Sequence, residues 1–277
     1  MTSEPKFDVP AGACDSHIHI YGDPDRFPPV PLADRAPPND LLEDYVAIRD
    51  RLGLSRAVVV QSPYYADDNA CVLDSIARLA PDARGIAVVS PDIADSELAR
   101  LHEGGIRGLR FGIELARGMR FDCLEDMAAR IAPFGWHIQY RSTEKDLPDL
   151  EPRMRRLPVP VCVDHIGSIP PETGVGHAAF KALLRLVDAG RCWVKLSAPY
   201  QLSRSGAPGY ADYRLQARAL VAAAPERMVW GTNWPHPRVT EKPDEADLLN
   251  VLADWTDDEA IRTAILVDNP AKLYGFG

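Results

Sequence analysis

Two histidines separated by one residue, His17 and His19, lie in the largely apolar segment Ala13–Ile20. Side chains two residues apart on a β-strand point to the same face, so both imidazoles would meet on one side of this segment. A His-x-His pair on a strand is a common way to chelate a metal ion. A hydrogen-bonded pair of core histidines is the alternative, and these two residues by themselves leave both interpretations open.

Further polar groups follow two later apolar segments. His165 comes directly after Val161–Asp164, and Asn233 and His236 lie at the end of the last apolar segment. Packing alone gives no reason for imidazole and amide groups to gather at the ends of several strands. Together with the histidine pair, these residues predict a functional site at which the ends of strands one, six and eight converge.

Arginines form a second group of candidates. A guanidinium is a planar fork that suits a carboxylate, often through two hydrogen bonds. The alternative is surface salt bridging with the 40 Asp and Glu residues, and it weighs most for Arg107, Arg117 and Arg120. The arginines on or after strand-like segments four, five and seven are Arg107, Arg110, Arg117, Arg120, Arg141 and Arg204.

Neutral hydrogen-bonding groups stand at the end of the second segment. Gln61, Ser62 and Tyr64 flank Pro63. They could bind a substrate, or they could cap the turn that the proline begins. The sequence favours neither interpretation.

Eight short segments rich in apolar and β-branched residues must position these side chains. Most are continuous apolar runs, which is typical of strands covered on both faces in a parallel sheet. Segments with helical spacing separate them (Asp40–Leu52, Asn69–Leu79, Phe180–Val187 and Leu215–Ala224), which indicates βα units. Eight units predict a closed (β/α)8 TIM barrel with its site at the C-terminal ends of the strands, and an open doubly wound sheet is the alternative. The segments are Ala13–Ile20, Arg56–Ser62, Gly85–Ser90, Ile106–Ile113, Trp136–Arg141, Val159–Gly167, Cys192–Ala198 and Met228–Pro235.

The composition is that of a globular protein and argues against several classes of partner. A length of 277 residues fits one TIM-barrel domain over residues 1–277. The net charge of −9 and the pI of about 5.3 argue against nucleic acid, and no apolar run approaches the ~20 residues of a membrane span. Five cysteines without a CxxC pair favour buried, reduced thiols. With no secretory signal evident at the start, we expect a cytoplasmic protein.

Seven motifs, in order along the chain, resemble amidohydrolase family 2. They extend from near the start of the sequence to its end, so the resemblance covers nearly all of it. Within that family the sequence is most similar to metal-independent lactonases, such as the pyrone-dicarboxylate and sugar-lactone hydrolases, and to the related lactone isomerases. The motifs are CDSHIHIYG (14–22), IRGLRFG (106–112), WHIQY (136–140), VDHIGS (163–168), VKLSAPYQLSRSG (194–206), WGTNWPHP (230–237) and DNPAKLYGF (268–276).

This resemblance implies roles for several candidates. His17, His19 and His165 correspond to the histidines that face the substrate. Asn233 stands where the family has an aspartate that handles a proton of the attacking water. The resemblance makes Arg110, Arg117, Tyr140 and Arg204 the candidates for binding carboxylates. Ser62, from its position after the second segment, is added to the expected substrate-binding residues for a neutral hydrogen bond.

Asn233 departs from the family pattern. An amide does not accept a proton at neutral pH, so Asn233 cannot be an ordinary general base. A variant whose base lies elsewhere, an inactivating substitution and a non-catalytic homologue all stay open. If the base lies elsewhere, the candidates are His17, His19, His165 and Asp164.

The leading hypothesis is hydrolysis of a carboxylated lactone without a metal or another cofactor. The three histidines could supply three zinc ligands, but strand five ends in Tyr140 and Arg141, and His137 falls within that strand. The alternatives are lactone isomerisation, zinc-dependent hydrolysis or decarboxylation, and ligand binding without catalysis. The expected partner is a small carboxylated lactone, and the oligomeric state is left open.

Overall fold

Eight parallel strands form a single sheet in chain order in the computed structural model, which describes residues 3–30, 38–112, 121–237 and 239–277. Their residues are almost all buried, as expected where helices cover the outside of a parallel sheet and side chains fill its inside. All eight predicted strands are therefore present. They are β1 (Cys14–Ile18), β2 (Arg56–Val60), β3 (Ala83–Ala87), β4 (Ile106–Gly112), β5 (His137–Arg141), β6 (Val161–Val163), β7 (Cys192–Ser197) and β8 (Met228–Gly231).

The sheet closes on itself between the ends of β1 and β8. Ile18 forms a parallel bridge with Trp234. The backbone N–H of His19 donates to the carbonyl of Trp234 at 2.8 Å, and the N–H of Asn233 donates to the carbonyl of His17 at 2.8 Å. A closed ring of eight parallel strands confirms the predicted (β/α)8 TIM barrel and excludes the open sheet.

Helices join the strands and cover the outside of the barrel. The four segments predicted from helical spacing are helices whose ends lie within two residues of the predicted ones. In the part of the chain that the structure describes, no helix combines the length and the apolar character that a membrane crossing requires. The helices are α1 (Leu42–Arg51), α2 (Ala70–Leu79), α3 (Asp95–Glu103), α4 (Leu124–Ile131), α5 (Leu147–Met154), α6 (Ala178–Asp188), α7 (Arg214–Ala223), α8 (Glu245–Trp255), α9 (Glu259–Thr263) and α10 (Asn269–Tyr274).

The C-terminal tail fills the end of the barrel at which the strands begin. The guanidinium groups of Arg56 and Arg84 lie 5.2 and 4.8 Å from the ring centre of Phe276 and hold the tail in place. With this end filled, the polar inward-facing residues are left at the opposite end. The apolar cluster inside the barrel consists of Leu273, Tyr274 and Phe276 packed with Cys14, Val58, Val60, Ile86, Cys162, Trp193 and Val229.

Two strands, β6 and β8, end four residues earlier than predicted, and both do so at the site. β6 stops before Asp164 because His165 and Ile166 adopt positive φ angles of 54° and 53°. β8 stops at Gly231, shortly before Asn233, whose φ is 60°. A non-glycine residue in this left-handed region leaves the strand path and is often found at functional sites. The predicted segments were too long because such turns are not visible in an apolar pattern.

Candidate active site

The histidine pair stands at the closing edge of the barrel. The Nε2 atoms of His17 and His19 lie 3.3 Å apart, and both side chains are buried. His19 Nδ1 is 2.8 Å from the carbonyl oxygen of Val60. Since a carbonyl only accepts, Nδ1 of His19 carries the proton and its Nε2 presents a lone pair.

His165 joins the pair from the turn that follows β6. Its ring centre lies 4.8 Å from that of His17, and its Nδ1 is 2.8 Å from the hydroxyl of Ser197 at the end of β7. Its Nε2 is buried and has no hydrogen-bonding partner among the described residues. The structure thus brings all three predicted histidines to one end of the barrel.

A buried lysine lies beneath the histidines, and the sequence analysis did not identify it. Lys195 is fully buried on β7. Its ammonium donates to the carbonyl of Ser16 at 2.8 Å and to Oε1 of Gln139 at 2.7 Å, and lies 3.3 Å from Nδ1 of His17. A lysine within the apolar run Cys192–Ser197 was the available signal, because an ammonium inside a buried strand is costly unless it is paired.

This lysine determines which nitrogen of His17 carries the proton. An ammonium only donates, so Nδ1 of His17 accepts from Lys195 and the ring proton sits on Nε2. Asp164 Oδ1 is 3.4 Å from the same Nδ1, but it accepts no hydrogen bond from any described residue. His17 therefore offers a donor at Nε2, where His19 offers an acceptor.

The electrostatics keep the three histidines neutral. Burial lowers the pKa of His17 and of His165 well below the usual value, and it lowers that of His19 to about 3. Burial alone would raise the pKa of Asp164, but the charge of Lys195, together with Arg110 and a hydrogen bond from Gln139, holds it below its ordinary value. The site at neutral pH thus combines neutral imidazoles with one buried carboxylate and its ammonium.

Asn233 borders the histidines from the end of β8. Its Nδ2 donates to the hydroxyl of Tyr200 at 2.8 Å. Its Oδ1 is buried and has no hydrogen-bonding partner within the described ranges. This oxygen can accept a hydrogen bond from water or substrate, but it cannot take a proton.

Two arginines project toward the same end of the barrel interior. Arg110 is almost fully buried on β4, and its guanidinium donates to the carbonyl of Gln61 at 2.8 Å. Arg141 ends β5 and donates to Oε1 of Gln201 at 3.3 Å. Gln61 directly follows Val60, whose carbonyl binds His19, and Gln201 directly follows Tyr200, whose hydroxyl binds Asn233, so both guanidinium groups lie beside the site.

Other predicted substrate-binding residues are not brought to this cluster. Tyr140 points out of the barrel, where it is fully buried and its ring packs edge-on against Phe121 at 5.2 Å. Strand alternation explains this, since its neighbour Arg141 takes the inward direction. The exposed side chain of Arg204 pairs with Glu172 at 2.5 Å.

Ser62 and Arg117 are the two remaining residues predicted to bind substrate. Ser62 is buried, caps the short 3₁₀ turn Pro63–Tyr65 by accepting from the N–H of Tyr64 at 3.4 Å, and contacts the hydroxyl of Tyr21 at 3.3 Å. It therefore has the turn-capping role that the sequence left open. Arg117 lies outside the described residues.

The sequence profile of the amidohydrolase family matches residues 14–276. The chain belongs to the amidohydrolase family. It is 36% identical to a 2-pyrone-4,6-dicarboxylate hydrolase from Comamonas testosteroni, over 98% of this chain and 93% of that protein. It is 31% identical to a D-galactarolactone isomerase from Agrobacterium fabrum, over 96% and 91%. A solved Agrobacterium tumefaciens structure superimposes with a TM-score of 0.87 at 30% identity, over 99% of this chain and 98% of that one.

The donor atoms of this amidohydrolase match a metal site only in part. The 3.3 Å between the Nε2 atoms of His17 and His19 suits two imidazoles on one zinc, since Zn–N distances are about 2.0–2.1 Å in tetrahedral geometry. Ligand atoms of His17, Asp164 and His165 also lie within 4.8 Å of one another. A metal on the pair needs a lone pair at Nε2 of His17, however, and Lys195 leaves a proton there. The contact between Lys195 and His17 therefore opposes a metal held by the histidine pair.

Lowering the pH should destabilise the fold through its buried neutral histidines. Burial, followed by the charge of Lys195, lowers the pKa of His137 to about 3 from 6.5. Between these values the unfolded state binds more protons than the folded state, so stability falls as the pH drops below 6.5. His137→Gln should flatten this dependence by up to about 1.4 kcal/mol per pH unit between pH 6 and pH 4.

Urea unfolding at each pH measures this effect. His137→Phe also removes the titrating group and should flatten the slope equally, which separates protonation from side-chain size. Slopes that are the same in both variants and in the unsubstituted protein would contradict the assignment.

Proposed function

We propose that this chain hydrolyses the ester bond of a small carboxylated lactone. The observation that carries the proposal is the opposed pair at the barrel mouth, in which His17 Nε2 donates and His19 Nε2 accepts across 3.3 Å. A hydrolysis needs a donor for the carbonyl oxygen, together with a nearby lone pair that can orient water for attack. Full-length similarity to a lactone hydrolase supports the same reaction class.

The donor side of the site would polarise the lactone carbonyl. His17 Nε2–H would donate to the carbonyl oxygen and stabilise the negative charge that develops when water attacks. His165 lies beside His17, and its Nε2 has no partner among the described residues. It could therefore contact the same lactone ring as His17. These groups are held by buried contacts, so they need little reorganisation during the reaction.

The arginines would hold the acidic substituents of the ring. Arg110 and Arg141 place two guanidinium groups near the histidines, and each can bind a carboxylate through charge-assisted hydrogen bonds. Arg204 would have to leave Glu172 to take part, and its role stays a prediction, as does that of Arg117. Binding at a fixed distance from the histidines would orient the carbonyl for attack.

We propose that the reaction proceeds without a metal, because Lys195 opposes metal binding at His17. Five cysteines that form no disulfide support the cytoplasmic location expected from the sequence. The profile match over residues 14–276 supports one domain across residues 1–277.

Lactone isomerisation is a second candidate. Similarity to a D-galactarolactone isomerase over nearly the full length of both chains favours it. A hydroxyl of the substrate would then attack the carbonyl in place of water, and the same donor and acceptor pair would serve. The product separates the two reactions, since isomerisation leaves a lactone and hydrolysis leaves an open-chain acid.

The purified protein should open at least one lactone in a panel of pyrone and sugar-acid lactones. Acid release followed with a pH indicator detects ring opening, and NMR of the product identifies isomerisation. The rate should be unchanged after treatment with a chelator, and elemental analysis should find far less than one zinc per chain. About one zinc per chain, with activity lost on chelation, would contradict the metal-free proposal.

Arg110→Ala should raise KM for the carboxylated substrate more than it lowers kcat. A hydrogen bond to a charged group contributes about 1.5–3 kcal/mol, which corresponds to roughly a 10- to 150-fold change. Arg130→Ala is the matched control, because Arg130 forms an ion pair with Asp95 at 2.6 Å on the outside of the barrel. Steady-state kinetics in which both variants show the unsubstituted KM would rule out Arg110 as the carboxylate ligand.

A further inference from the structure

A chain of hydrogen bonds leads from Asn233 away from the histidines and toward the surface. The hydroxyl of Tyr200 accepts from Nδ2 of Asn233 at 2.8 Å and lies 3.2 Å from Nδ1 of His236. Nε2 of His236 lies 3.1 Å from Oε1 of Glu245, whose other oxygen pairs with Arg51 at 2.9 Å. Residue spacing identifies only His236 of these partners, as one of the polar groups that follow β8.

Each hydrogen bond in this series has a defined donor and a defined acceptor. The carboxylate of Glu245 only accepts, so Nε2 of His236 carries the proton and Nδ1 carries a lone pair. Tyr200 therefore donates its hydroxyl proton to Nδ1 of His236 while it accepts from Asn233. A carboxylate that orients an imidazole, which in turn receives a proton from a hydroxyl, is the arrangement that activates hydroxyl groups in hydrolases.

The surroundings keep His236 able to accept a proton. Its side chain is buried, and burial lowers its pKa against the opposing effect of Glu245. Lys242 also lowers the pKa and Asp40 raises it, and Tyr200 is the remaining titratable group in contact with the ring. His236 is therefore neutral at neutral pH, with Nδ1 free to take a proton.

The chain begins at the mouth of the barrel. The hydroxyl of Tyr200 is bonded to Asn233, whose backbone N–H donates to the carbonyl of His17 at 2.8 Å, so the hydrogen-bonded series starts beside the histidine pair. Burial is the largest influence on Tyr200 and raises its pKa. The hydroxyl thus stays protonated at rest and would pass a proton on rather than act as a stable phenolate.

With Asn233 in place of a carboxylate the site lacks a proton acceptor at this position, and the hydrogen-bonded series that begins at Tyr200 can supply one. Its free Oδ1 can hold a water molecule beside Tyr200, but the amide cannot accept the proton that the water must lose. We propose that Tyr200, His236 and Glu245 form a proton relay that replaces the missing carboxylate at position 233. The proposal rests on the hydrolytic function proposed above.

The relay gives a balanced step. The water oxygen forms a bond to the lactone carbonyl carbon, and the π electrons of the C=O bond move to its oxygen. One water proton passes to the oxygen of Tyr200 as the hydroxyl proton passes to Nδ1 of His236, which leaves an imidazolium paired with Glu245. When the tetrahedral intermediate collapses and the ring C–O bond breaks, the same proton returns through Tyr200 to the departing ring oxygen.

Kinetics in two backgrounds test the relay. Tyr200→Phe should lower kcat by about 10²–10⁴-fold, the usual contribution of acid–base assistance, with KM changed by less than about threefold. His236→Gln should cost a similar factor, and the double variant should be no slower than either single one, since the two residues act as a unit. In an Asn233→Asp background the new carboxylate takes the proton, so Tyr200→Phe should cost less than about tenfold.

Asp244→Asn is the matched control for the outer end. Asp244 also contacts Arg51, at 3.4 Å, but the carboxylate hydrogen-bonded to His236 is that of Glu245. An asparagine keeps the helix cap at position 244, so Asp244→Asn should leave kcat unchanged, whereas Glu245→Gln should lower it. A Tyr200→Phe variant with the unsubstituted kcat, or with the same loss in both backgrounds, would overturn the relay alone. A protein that opens no lactone in the panel would overturn the proposed function and the relay with it.

Discussion

The ammonium of Lys195 is the constraint on which the interior of this barrel depends. A lone ammonium in a buried interior is strongly unfavourable unless its protons are accepted. Here the acceptors come from two other strands. The carbonyl of Ser16 and Nδ1 of His17 lie on β1, and the amide oxygen of Gln139 lies on β5. Asp164 adds a carboxylate oxygen at 3.6 Å. Because these strands must all meet one cation, their register and their inward side chains are fixed together.

The same contact sets the chemistry at the mouth. A ring whose Nδ1 faces an ammonium must present its proton at Nε2, whereas the neighbouring ring, held by the carbonyl of Val60, must present a lone pair. Two residues of the same type therefore take opposite roles, since His17 donates and His19 accepts a hydrogen bond at Nε2. A metal would require both rings to present lone pairs, so the lysine favours hydrogen-bond chemistry over metal chemistry.

The sequence was sufficient to predict the barrel, because long apolar runs alternate with helical spacing, and it was sufficient to predict the convergence of His17, His19, His165 and Asn233. The sequence did not predict the orientation of side chains that depends on strand register. Tyr140 and Arg141 are adjacent, and only the position of the strand shows which one faces inward. The relay was missed for a related reason, since His236 reaches Tyr200 and Glu245 through a turn that residue spacing does not reveal. Lys195 could have been found, because a charged residue inside an apolar strand requires a buried partner.

The most direct test of this account is the position of the ring protons on the two histidines at neutral pH. Long-range ¹H–¹⁵N correlation spectra of histidine-labelled protein distinguish protonated from unprotonated ring nitrogens, and His17→Gln and His19→Gln variants assign the signals. We expect a proton on Nε2 of His17 and on Nδ1 of His19. A His17 ring that carries its proton on Nδ1 would contradict it, because Lys195 would then not determine the roles of the pair.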